Sequence, residues 1–170
     1  MMTEEDILKG IKEYFGIYEF VDKRTYDTWG EKAWMFLDVQ FLYTILIIRE
    51  EIDKPMYFNT WKWGGPFQQR GLRTNVSYIV KAKTGRDKLY LSAHPMGKAG
   101  DFDVKGMTAE ETRDWILARP QLFPYKIRLE HLKKDTKKGS PTFGKMIPIT
   151  WVHLDLFFLL SNPDIYLFNV

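Results

Sequence analysis

Ser92-Ala93-His94-Pro95-Met96-Gly97-Lys98-Ala99-Gly100-Asp101 sets a histidine and a carboxylate seven positions apart around a glycine-containing turn. Neutral imidazole and carboxylate are ligands that a borderline cation such as Zn²⁺ accepts. Gly97 lets the backbone turn so that both side chains converge on one ion. A third ligand is needed, and the comparable segment is Trp151-Val152-His153-Leu154-Asp155. Three protein ligands leave one position of a tetrahedral ion open to water, which separates a catalytic site from a structural one. On residue chemistry alone the pattern implies metal-assisted hydrolysis.

The two motifs, S-x-H-x-x-G-x-A-x-D and W-x-H-x-D, resemble those of the zinc D-alanyl-D-alanine carboxypeptidases. That family includes phage and bacterial endolysins and shares its fold with the hedgehog signalling domain. The resemblance implies zinc held by His94, Asp101 and His153, and hydrolysis of peptide bonds in the peptide of bacterial peptidoglycan. Many members place an acid three residues before the last histidine ligand as general base. Here that position is Thr150, which cannot do that work. Some branches lack this acid and keep His-x-Asp, as this chain does. Asp155, on the same strand face as His153, and Glu130, on the preceding expected strand, are the two candidates for the base. Asp155 could instead orient a ligand or pair with Arg73.

Gly71-Leu72-Arg73-Thr74 is similar to the Gly-Tyr-Arg-Ser/Thr stretch of the family. This implies that Arg73 stands in the cleft, where its planar fork would hold a substrate carboxylate or carbonyl. Arg70 is the nearest rival for that role. His131 matches no motif and reads as a surface or structural residue. Trp29, Trp34, Trp61 and Trp63 could form a sugar- or peptide-binding wall, with packing as the default role. The departure at Thr150 keeps a second reading open, a catalytically inactive family member serving as a cell-wall or phage-particle binding module.

At 170 residues the chain is long enough for one domain with a proper core. An aromatic content of 16% argues against disorder, and a net charge of +3 gives no case for nucleic acid. With no cysteine, disulfides and thiolate ligands are excluded, so a zinc site must use His, Asp or Glu. No apolar run reaches the ~20 residues that span a bilayer. The acidic start, Thr3-Glu4-Glu5-Asp6, lacks the marks of a signal peptide. Synthesis in the cytoplasm is therefore expected, with release to the cell wall if the protein is phage-derived.

These side chains need elements to position them. Thr3 and the acids after it open a helix, carried by Ile7, Leu8, Ile11 and Phe15 and ended at Gly16. Residues 17–33 read as loop with short helical turns. The strongest helical periodicity covers 34–52 and stops at Pro55. Residues 56–59 read as a strand, 75–80 as helix or strand, and 81–88 as a charged connection. Short strands are expected at 89–91 and from Phe102 onward. Thr108 and Glu111 form a capping box for a helix closed by Pro120, packing on the sheet without chemistry. Strands follow at 125–130, 147–158 and 165–168, with a basic loop at 133–140. The sum is one α+β domain over 1–170, with a helical part at 1–53 and a sheet-forming part at 54–170. Its sheet is antiparallel, with helices mainly on one side and the zinc site at the sheet.

Overall fold

The computed structural model describes residues 2–85 and 89–170. Helix α1 (Glu4–Tyr14) begins as its sequence requires. Thr3 Oγ1 accepts from the Asp6 amide, and Asp6 reaches back to the Thr3 amide. The 17–33 stretch is more helical than expected, with α2 (Ile17–Phe20), α3 (Lys23–Trp29) and a 3-10 segment (Gly30–Phe36).

The long helix α4 (Val39–Ile52) starts later than the periodicity suggests. Asp38 leaves helical geometry and accepts from the Gln40 and Phe41 amides, so it caps the helix in place of residue 34. Helix α4 packs on α1 and supplies Phe41, Ile45, Leu46 and Ile48, none of them accessible to solvent. Truncating Phe41 to alanine would cost about 3–5 kcal/mol, as emptied core sites do.

The main sheet runs in the order β1, β2, β6, β3, β7, from β1 (Met56–Tyr57), β2 (Ala99–Val104), β6 (Val152–Asp155), β3 (Ile127–Glu130) and β7 (Ile165–Phe168). Pairing is antiparallel throughout except at β3–β7, which is parallel and corrects the all-antiparallel expectation. A separate hairpin joins β4 (Leu132–Lys134) to β5 (Met146–Pro148) where a basic loop and the start of a long strand were expected. The strand expected over 147–158 is thus two strands with a bend between. Residues 89–91 carry no strand, and 56–59 shortens to β1. The 75–80 ambiguity resolves as α5 (Tyr78–Lys83). The charged connection at 81–88 lies partly outside the described residues.

Helix α6 (Ala109–Leu117) has the expected Thr108–Glu111 capping box and packs on β2 and β6. Strand alternation divides the sheet into two faces. Phe102, Ile127, Leu129, Val152 and Leu154 join the helices in one core. Asp101, Arg128, Glu130, His153 and Asp155 project from the opposite face. Among the described residues no helix is long and apolar enough to cross a membrane.

Candidate metal centre

Register brings the ligand candidates together. Asp101 on β2 pairs directly with His153 on β6, and Arg128 on β3 pairs with Asp155. His94 comes from a 3-10 turn (His94–Met96) that Gly97 ends in left-handed geometry, at φ 68°. A side chain there would collide with the Phe36 carbonyl, 2.1 Å from an added Cβ, so only glycine fits.

The His94 ring is fully enclosed. Its Nδ1 lies 2.7 Å from the Gly71 carbonyl oxygen, which carries no proton, so Nδ1–H donates and the Nε2 lone pair is free. Nε2 is buried without a hydrogen-bond partner and sits 3.5 Å from Asp101 Oδ1. His153 Nδ1 lies 2.7 Å from the same Oδ1, and its Nε2 lies 3.0 Å from Asp155 Oδ2. One donor atom from each of His94, Asp101 and His153 falls within 4.8 Å of the others, and all three residues are buried. This group could hold a metal ion. The orphaned nitrogen facing a carboxylate is what a missing cation would leave unsatisfied.

The electrostatics agree. Burial pushes Asp101 up, but the hydrogen bond and charge of His153 outweigh it and hold the carboxyl well below the usual range. Burial lowers the His94 imidazole and keeps it neutral, despite the Asp101 charge. Burial also opposes charge on His153, yet hydrogen bonds to Asp101 and Asp155 win and hold the imidazolium to about 10. Without an ion, a proton on His153 is the positive charge between the two carboxylates.

The other candidates divide by their partners. Arg128 grips Asp155 through Nε and Nη2, at 2.8 and 3.0 Å, and the Phe157 amide donates to Oδ1 at 2.7 Å. Asp155 is therefore fully engaged and orients His153. Glu130 is not engaged. Its carboxylate lies 3.9 Å from His153 Nε2 and accepts no side-chain or amide hydrogen bond from the described residues. Burial raises its pKa, with the Asp101 and Asp155 charges adding to the effect against His153 and Arg73. Thr150 stands exposed at the bend before β6.

Arg73 reaches the site, on the side of Asp101. Its Nη2 donates to Asp101 Oδ2 at 2.6 Å and its Nε to the Gln69 carbonyl at 2.7 Å. The pairing with Asp155 considered from sequence does not form. Arg70 turns away, pairing with Asp103 and stacking on Phe67. Asp103 thus serves that pair and not the metal group. His131 lies half-exposed, 3.4 Å from Glu110.

A cleft of about 430 Å³ opens on the group, lined by Arg73, Tyr90, Glu130, Trp151, Phe157 and Phe168 among others. Sequence reasoning missed Arg128 and Phe168. Arg128 shares a strand face with Glu130 by the period of two, and that was its available signal. It also missed Arg113 on α6, a helix assigned no role. Fully buried Arg113 donates to the carbonyls of Ile149 and Trp151, at 2.9 and 3.0 Å, and so shapes the bend that delivers His153.

No family model, no curated protein and no solved structure matches this chain. The fold and the group define an α+β protein with a buried His-Asp-His cluster able to hold a metal ion.

Proposed function

We propose that the protein is a zinc-dependent peptidase hydrolysing peptide bonds in bacterial cell-wall peptide, as a carboxypeptidase or an endopeptidase. The observation that carries this reading is the buried convergence of one donor atom each from His94, Asp101 and His153, with the Glu130 carboxylate lining the cleft that opens on them. The donor set suits zinc, with two imidazoles and one carboxylate. His94 would bind through Nε2, Asp101 through Oδ1 and His153 through Nδ1. When bound, zinc supplies a Lewis acid that activates water and polarises the carbonyl under attack.

The chain's own residues do the rest. His153 would hold the ion through an unprotonated Nδ1, with Nε2–H kept on Asp155, which fixes the ring. Glu130 takes the proton of the attacking water and returns it to the leaving amine, a role its burial-raised pKa fits. Arg73 holds Asp101 through Nη2, and its guanidinium lines the cleft, within reach of a substrate carboxylate or carbonyl. The choice of cell-wall peptide as substrate rests on the resemblance of the two motifs.

Two measurements test the reading. Elemental mass spectrometry should find about one zinc per chain, lost or much reduced in His153→Ala. Incubation with defined muropeptides should release new amine ends. Zinc without turnover, together with tight muropeptide binding, would replace this reading with that of a non-catalytic binding module.

A further inference from the structure

A second cleft, of about 870 Å³, lies away from the metal group, between the end of α1, α2, α4, β1 and the turn after β1. Aromatic rings dominate its wall. Trp63 is 61% exposed, and it meets Tyr18 edge-on with ring centroids 5.3 Å apart. Tyr14 and Tyr57 are exposed along the same wall. An exposed tryptophan already held by a neighbouring ring presents an apolar face at little entropic cost.

Two polar groups in this cleft lack a full set of partners. Glu19 is only 6% exposed. Its Oε1 accepts from the Gly16 amide at 3.1 Å, and Oε2 accepts from none of the described residues. Arg49 stacks over Tyr14 at 4.4 Å, and its Nη1 makes no hydrogen bond but pairs with the Asp53 carboxylate at 3.7 Å. Glu19 Oε2 and the Arg49 guanidinium thus keep hydrogen-bonding capacity that water or a ligand in the cleft takes up.

The charges define what that is. Lys12 and Arg49 line the cleft, and Lys62 sits over Tyr18, which disfavours an ammonium ligand. Glu13 and Glu19 disfavour an anion. The fitting ligand is neutral, with an apolar face for the rings and a rim of hydroxyl or amide groups for Glu19 and Arg49. A pyranose ring has that form. We propose that this cleft is a saccharide-binding site, with Trp63 as stacking platform and Glu19 and Arg49 as hydrogen-bonding anchors. Residues 60–73 run from the Thr60, Trp63 and Gly65 side of this cleft to Arg73 at the metal group. That the saccharide is the glycan of the polymer whose peptide is cut rests on the proposed function.

The test titrates tri-N-acetylchitotriose into isotopically labelled wild-type protein and follows amide and indole resonances. The expected result is saturable shifts at Gly16, Trp63 and Gly65. Affinity should fall about tenfold or more in Trp63→Ala, and several-fold in Glu19→Gln. Melting temperature and metal content of each variant report an intact fold. No shifts up to the solubility limit, or equal affinity in Trp63→Ala, would overturn the proposal. So would a response to a lysine-containing peptide without one to the saccharide. Saccharide binding by protein that takes up no zinc would sink the peptidase reading alone. Zinc-loaded protein blind to the saccharide would sink this proposal alone.

Discussion

Arg128 and Asp155 meet side by side on paired strands, Nε on Oδ1 at 2.8 Å and Nη2 on Oδ2 at 3.0 Å. The same Oδ2 takes His153 Nε2 at 3.0 Å. The arginine thus fixes the carboxylate, and the carboxylate fixes the imidazole. If the group holds zinc as proposed, Asp155→Asn should weaken that binding by about 10–100-fold, the usual cost of losing a partner that orients a ligand. Competition with a chromophoric chelator measures this. Wild-type affinity in the variant would show that the carboxylate does not orient the ring.

On the peptidase reading, Glu130→Gln separates catalysis from metal binding. The amide keeps the shape and cannot take a proton, so muropeptide hydrolysis should fall by about 10²–10⁴-fold. Metal content should stay at the wild-type level, because Glu130 lies outside the three-residue group. Hydrolysis that survives in Glu130→Gln and vanishes in Asp155→Asn would reverse the two roles.

Stability should depend on pH through Glu19. Burial raises its pKa from 4.5 to about 7, against the lowering effect of the Gly16 amide. A folded-state pKa above the unfolded value means that folding favours the protonated acid. The benefit is complete below pH 4.5 and fades as pH rises through about 7. Glu19→Gln holds the neutral form at every pH. Relative to wild type it should gain up to about 3 kcal/mol between pH 4 and pH 8. Urea unfolding of both proteins across that range checks it, and a constant difference between them would refute it.

Arg113→Met should destabilise the fold by about 3 kcal/mol or more. It leaves the carbonyls of Ile149 and Trp151 without their donor. Arg113→Lys keeps the charge without the fork and should fall between the two. Chemical denaturation ranks the three proteins. Equal stability for methionine and lysine would show that packing, and not carbonyl capture, is what the residue supplies.

What could be read beforehand follows the range of the forces involved. The caps at Thr3 and Thr108 and the stripe of Ile7 and Ile11 are local, and each formed as read. His94, Asp101 and His153 were legible because the residue types needed to hold an ion are few. The start of α4 was not, since Trp34 and Leu37 continue the apolar rhythm while Asp38 wins by capping. The bend between β5 and β6 was hidden because Arg113, far away in sequence, takes the carbonyls there. The parallel partner of β7 and the engagement of Asp155 by Arg128 are set by cross-strand register, which alternation within one strand does not carry.

Helix α4 contributes nothing to the His-Asp-His group, yet its first turn is moored to the turn that carries His94. The Asp38 amide donates to the Gly97 carbonyl at 3.0 Å, and the Asp38 carboxylate holds Lys98 at 2.9 Å. The helix is a mounting bracket for His94. Its far side lies in the core, where Phe41 and Ile45 are wholly enclosed. The tolerance to which His94 is machined is therefore set by hydrocarbon packing on the far side of that bracket. Substitutions there that preserve the fold but tilt the helix would detune the histidine without touching it.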